Sequence, residues 1–386
     1  MHTELAQEAL RIQLLPFGVP AFRQNEPPAP CLDEIEPCRA IDGDFWADVF
    51  SCCMQGNIAC LQGDPSEARR CYAAAWRLIR YGRAVAAPPN WVLDMIYASL
   101  MRSYTAWSDW RRSLRYARIV LKRSLSAGNL KGSAAAYTTI GEAYLQLGEW
   151  EQAQDYFEKG LAAARQAAAD VLADAALLGL ACLLIEQGRW SEDLPLAQQV
   201  RSLMEGQTES FFQLEAFLLA GRLARENGHH QEALHLYQRL DSDFLDDLPL
   251  TNRLTILSAL AEAHLITGDL ARAEEIVREG ARQAASGRAQ REYAALLRIY
   301  GEALLQRRKN VAAGTALLSA EEITRKIDCP LDHAKTLSAL ADLYFVEGKT
   351  RKAQQTAQRS IAIFENIGAL PAAERARKRF KHQPGA

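Results

Sequence analysis

The sequence has no Cys-x-x-Cys pair, so the usual spacing of a zinc ribbon is missing although eight cysteines are present. It has no Gly-x-Ser-x-Gly elbow, which removes support for an esterase-type nucleophile. Its seven histidines are scattered and form no His-Glu-x-x-His helix. No apolar run reaches membrane-spanning length. The start, MHTELAQEALRIQLLPFG, carries two Glu before its first Arg and no uninterrupted apolar core, unlike a secretory signal peptide. The expected location is therefore cytoplasmic. A formal net charge of −2 gives no overall drive toward nucleic acid or an anionic membrane.

Two partial signals point nowhere further. Gly348-Lys349-Thr350 has the end of a phosphate-binding loop, but Leu343 stands where the first Gly is needed. Six cysteines lie between Cys31 and Cys71, with Cys53 and Cys60 on one helix face. They read as buried small hydrophobes with reduced thiols. A metal or redox cluster with Cys31 and Cys38 is the alternative. No cofactor is expected.

What the chain does have is a period. Gly148, Gly188, Gly228, Gly268 and Gly348 recur at forty residues or twice that, with Arg308 in the one gap. Seven residues earlier stand Gly141, Ala181, Gly221, Ala261, Gly301 and Ala341. Five residues later stand Ala153, Asp193, Ala233, Ala273, Ala313 and Ala353. Small side chains let two helices approach closely, and Gly accepts the left-handed conformation that ends a helix. Trp110, Trp150 and Trp190 share a column in the turn, where packing is the expected role.

The pattern predicts an all-α solenoid of about eight helical hairpins over residues 46–370. The first begins near Phe45, and the last six start near Ala134, Asp174, Leu214, Leu254, Ala294 and Ala334. Residues 1–45 form a Pro-rich leader that covers the first repeat or docks on a groove or partner. Residues 371–386 carry Arg375, Arg377, Lys378, Arg379 and Lys381 and read as a polar terminal cap; contact with nucleic acid through this basic tail is the weaker alternative.

Residues 141–161, GEAYLQLGEWEQAQDYFEKGL, resemble the tetratricopeptide repeat through Gly141, Tyr144, Gly148, Trp150, Ala153, Phe157 and Gly160. The forty-residue unit exceeds that family's usual length of about thirty-four, which is similar to the MalT-like branch of bacterial regulators and peptide-sensing receptors. Asp193 and Pro195 depart from the pattern and predict a distorted second helix there. The resemblance implies a right-handed superhelix with a concave groove lined by the first helix of each hairpin. In that register the groove residues are Arg102, Glu142, Arg222, Arg225, Glu262, Arg298, Glu302, Lys335 and Asp342, with Glu215 beside them. The Lys and Asn set of a chaperone-type carboxylate clamp is missing. Alternating Arg and Glu suit an extended polypeptide held by charge-assisted hydrogen bonds.

The expected function is a protein-interaction scaffold that binds a peptide or partner-protein segment in the groove, with no catalysis and no evident small-molecule substrate or membrane partner. The alternative is a peptide-sensing or transcription-associated regulatory receptor of the bacterial MalT-like type.

Overall fold

The computed structural model describes residues 45–61, 64–82, 87–191, 194–205, 211–240, 248–287 and 289–381. The Pro-rich leader, apart from Phe45, lies outside them, as do Cys31 and Cys38. The described residues form seventeen α-helices and no strand. Eight pairs follow one another: α1 (Phe45–Leu61) with α2 (Pro65–Gly82), α3 (Asn90–Ala106) with α4 (Trp110–Ser126), α5 (Leu130–Leu147) with α6 (Trp150–Gln166), and α7 (Asp170–Glu186) with α8 (Pro195–Met204). Then come α9 (Phe211–Glu226) with α10 (His230–Gln238), α11 (Leu250–Thr267) with α12 (Leu270–Gly287), α13 (Gln290–Gln306) with α14 (Asn310–Lys326), and α15 (Pro330–Val346) with α16 (Thr350–Ile367). The last helix, α17 (Leu370–Lys381), stands alone. Each helix packs on the next, and first helices pack on first helices of neighbouring hairpins, which is the arrangement of an α-solenoid.

The glycine column ends the first helices as its chemistry requires. Gly148 has φ 79° and Gly268 has φ 90°, conformations that cost an L-residue about 1 kcal/mol or more. Arg308, in the gap of that column, takes the same turn at φ 59° without the glycine. Turn side chains then cap the second helices: Asp109 accepts from the Arg112 N–H at 3.1 Å, and Asp269 accepts from that of Arg272 at 3.1 Å. Trp150 is buried, its ring nitrogen donating to the Leu145 carbonyl at 3.0 Å. The second helices α8 and α10 are short, ten and nine residues against seventeen in α4 and α6. Pro195 stands in the first turn of α8, while Asp193 lies outside the described residues.

The array also closes on itself, which the repeat pattern does not announce. Helix α15 touches α5, and α17 touches α7. One hydrophobic cluster runs from Ile140, Trp150, Leu180 and Leu183 to Phe364, Ile367, Ala372, Ala373 and Ala376. Pro330 and Ile367 lie so close to Gly148 that a Cβ there would sit 2.7 Å from each. Arg111 meets Asp328 at 2.5 Å across the same junction. That pair is exposed and contributes about 0–1 kcal/mol. Burying Phe364 alone contributes about 1.5–3 kcal/mol, so apolar contact dominates the closure. Hairpins two to eight thus contribute to the wall of a central cavity.

Within a hairpin, the Phe157 ring is gripped from both sides. A Cβ on Gly141 would lie 2.8 Å from its edge, and Gly179 of α7 faces it from the opposite helix. The ring therefore cannot retreat from an added methyl. Alanine gains about 1 kcal/mol as a helix former over glycine, but overpacking costs about 1–3 kcal/mol. Gly141→Ala is expected to lower stability by about 1–2 kcal/mol, read as a lower urea midpoint; an unchanged or higher midpoint would contradict this packing.

Candidate functional site

Charge is confined on the first helices to one narrow face. On α13, Arg291, Ala295, Arg298 and Glu302 follow at intervals of four, three and four, which aligns them along the helix. On α9 the same spacing aligns Glu215, Arg222 and Arg225, and on α15 it aligns Asp332 and Lys335. The remaining faces of these helices are apolar because both neighbours cover them, as Ile256, Leu257 and Leu260 on α11 illustrate. The polar faces meet in a cavity of about 460 Å³.

The cavity wall is an ion-pair network. Arg298 donates to Glu262 at 2.9 Å and to Glu302 at 3.0 Å. Arg225 pairs with Glu262 and, at 3.1 Å, with Glu226. Arg222 donates to Glu186 at 3.3 Å, and Lys335 lies 3.7 Å from the same oxygen. Arg291 donates to Asp332 at 2.9 Å. Pairing of this kind is what permits charge at such depth, since a lone buried charge costs several kcal/mol. Burial works against the Glu262 carboxylate, but Arg225 and Arg298 outweigh it and hold its pKa well below the usual range. Asp332 likewise stays ionised, down at about 2, because Arg291 overcomes burial. Glu142 is the exception: burial pushes it up to about 7, with Glu215 and Glu292 opposing the pull of Arg291.

Of the nine groove residues expected from the repeat register, Glu142, Arg222, Arg225, Glu262, Arg298 and Lys335 line this cavity. Glu302 adjoins it through Arg298. Asp342 instead meets Arg379 of α17 at 2.5 Å, with burial raising its pKa to about 7 despite that partner. Arg102 lies away from the cavity, among Tyr72, Cys60 and Cys53 of the first hairpin. Three lining residues fell outside the expected register: Arg291, Glu292 and Asp332. They occupy the first turns of α13 and α15, which begin about four residues before the hairpin starts near Ala294 and Ala334. Pro330, favoured at a first helical position, is the signal that would have placed Asp332.

The basic C-terminal stretch belongs to the same network. Leu370–Lys381 is helical, buries Ala372, Ala373 and Ala376, and directs Arg375 to Glu226. Among the described residues, no group of three or more His, Cys, Asp or Glu could hold a metal ion. The described cysteines carry free thiols, and burial raises the Cys52 and Cys71 pKa values to about 11 and 12. No helix among the described residues is long and apolar enough to cross a membrane.

A family model described as Tetratricopeptide repeat matches residues 134–166, the body of the α5–α6 hairpin. That hairpin is a tetratricopeptide repeat, and the other hairpins repeat its helix–turn–helix form. Among solved structures the chain is similar to a Rap protein complexed with competence and sporulation factor, at 11% identity, covering 88% of this chain and 83% of that one, TM-score 0.43. It is also similar to a circular tandem repeat protein with novel repeat topology, at 15% identity and 87% of each chain, TM-score 0.20. No curated protein matches it. As a tetratricopeptide-type array it falls in the general class of protein-interaction scaffolds, whose partners are proteins or peptides and which are generally not enzymes.

Because its folded pKa of about 7 exceeds the ordinary 4.5, Glu142 favours the native state in its protonated form. Its contribution is fully present below pH 4.5 and is lost as pH rises through 7. Glutamine mimics the protonated group at every pH. Glu142→Gln is expected to match the wild-type thermal midpoint near pH 4.5 and to exceed it above pH 7; parallel curves across that range would contradict the buried carboxyl.

Proposed function

We propose that the protein binds a short peptide, or a flexible segment of a partner protein, in the cavity lined by hairpins two to eight. The observation that carries this reading is the wall itself. Glu262, Arg225, Arg298, Arg222 and Asp332 present paired charges of alternating sign to one space. A polypeptide offers N–H donors and carbonyl acceptors in alternation, and such a wall meets both with charge-assisted hydrogen bonds. The volume of about 460 Å³ falls within the range of about 300–1,000 Å³ common to ligand pockets. No constellation in the wall places a nucleophile beside a base, so binding rather than turnover is the reading.

A second reading, a peptide-sensing regulatory receptor, is favoured by one connection. Glu262 pairs with Arg225, Arg225 with Glu226, and Glu226 with Arg375 of the closing helix. A ligand that draws on Arg225 or Glu262 would thereby alter the contacts that hold the ring shut, and a small change at one interface propagates along such an array.

Ala295 sits on the cavity wall between Arg291 and Arg298 and takes part in none of the ion pairs. Ala295→Phe fills space without breaking the network. Peptides selected against the wild-type protein from a displayed random library are expected to bind this variant at least about tenfold more weakly, with unchanged circular dichroism. Retention of binding would move the site away from the cavity. Small-angle scattering of the wild type at saturation separates the two readings: changed dimensions support the receptor, and unchanged dimensions support a passive scaffold.

A further inference from the structure

The charges of the cavity do not cancel evenly over its wall. All five cations that line it are engaged: Arg222 and Lys335 with Glu186, Arg225 and Arg298 with Glu262, and Arg291 with Asp332. Three carboxyls are left over. Glu142 on α5 has neither a hydrogen bond nor an ion pair among the described residues. Glu215 on α9 accepts only from the Asn252 side-chain amide, at 3.1 Å. Glu292 on α13 is 8% exposed, and its nearest cation, Arg291, is 4.0 Å away and committed to Asp332. The Glu292 Oε2 atom is buried with no hydrogen-bond partner among the described residues.

These three groups come from the first helices of alternate hairpins and line one space. An acidic cluster alone does not make a site. Here a nine-tenths-buried carboxylate oxygen lines the cavity with nothing to satisfy it, a state that costs about 1–3 kcal/mol in a native fold. Its nearest cation, Arg291, donates to Asp332 through Nε and lies 4.0 Å from the other Glu292 oxygen, beyond hydrogen-bond reach. The missing partner is then a hydrogen-bond donor of positive charge arriving from outside. Glu142 and Glu215, which are half-buried, leave an approach to it.

We propose that Glu142, Glu215 and Glu292 form an acidic subsite that receives a cationic group of the peptide ligand, either the guanidinium or ammonium of an Arg or Lys side chain or a free amino terminus. The inference rests on the reading of the cavity as a peptide site and specifies its selectivity. Burial holds all three carboxyls toward their neutral form, which is how the fold tolerates them there. An incoming cation favours their ionised form and gains charge-assisted hydrogen bonds, whereas an anionic or apolar group leaves the buried oxygen unsatisfied.

The test uses the full chain and positional-scanning hexapeptide pools labelled at the carboxyl end, in two sets, one with free and one with acetylated amino termini. If a side chain fills the subsite, pools with Arg or Lys fixed at one position bind at least about tenfold tighter than pools with Glu or norleucine there, acetylated or not. If the amino terminus fills it, the free set binds tighter than the acetylated set by a similar factor. In either case the preference disappears in Glu142→Gln/Glu215→Gln/Glu292→Gln while neutral pools still bind, and exposed Glu232→Gln leaves it intact. Should the triple variant lose its helical signal, Glu142→Gln alone is the readout, with the preference reduced. A preference for acidic or apolar pools, or a basic preference that survives the substitutions, overturns the inference and leaves the cavity as a peptide site. Absence of binding by every pool overturns the peptide reading and this inference with it.

Discussion

In four of the eight hairpins a glycine of the first helix meets a large side chain of the second, and the rest of the molecule hangs on how close that approach is. Gly141 lies under Phe157, Gly301 under Leu317, and Gly221 under Tyr237. The approach sets the depth at which the second helix rides on the first. It also decides which faces of the first helix remain to be filled by neighbours. With both flanks covered by apolar packing, polar groups survive on one edge only. Concentration of charge on the inner wall is therefore a consequence of tight hairpins, before any question of a ligand arises.

The second constraint is closure. In an open solenoid the inner face is a groove that water reaches along its length, and exposed ion pairs there contribute little. Here α17 and the end of α16 lie against hairpins three and four, and the groove becomes a cavity. Withdrawal from water strengthens every pairing inside and raises the cost of every charge left over. The contrast between Asp332, held at about 2 by Arg291, and Glu142, raised to about 7, records both effects within one wall. The same closure brings the basic C-terminal segment into the network, where Arg375 and Arg379 answer Glu226 and Asp342.

Much of the fold was legible because it is local. A glycine that must take φ near 80° and a small residue seven positions before it repeat visibly, since each hairpin solves the same problem. Six of the nine expected groove residues face one cavity for the same reason: helical spacing from a known packing column determines direction. The departures arise where position depends on more than one repeat. Asp342 has the register of a groove residue but is covered by Arg379, thirty-seven positions later and across the ring closure. Arg102 has the same register but lies among Tyr72 and Cys60 of the first hairpin, while only the end of its own helix, at Thr105 and Ala106, reaches the cavity. Arg291, Glu292 and Asp332 were hidden by an extra helical turn that has no packing column of its own. Closure depends on small angles summed over six hairpins, and no single residue encodes that sum.

Specificity in such an array should reside where the copies differ, and the wall shows how a difference becomes selective. At the ninth position of successive first helices stand Glu142, Cys182, Arg222, Glu262, Glu302 and Asp342. Arg222 reaches back to Glu186 on the preceding first helix, and Arg298 does the same to Glu262. Each arginine thus neutralises an acid contributed by the repeat before it. Arg298 reaches Glu262 from the fifth position of its helix, and at hairpin four that position is Leu178, with no charge to give, so nothing reaches back to Glu142. Glu142 is in this sense left without a partner because its neighbour lacks the arginine that hairpin seven supplies to Glu262. A repeat protein can create a recognition group by omission: removing one cation from a periodic ion-pair ladder exposes the preceding carboxyl to whatever enters the cavity.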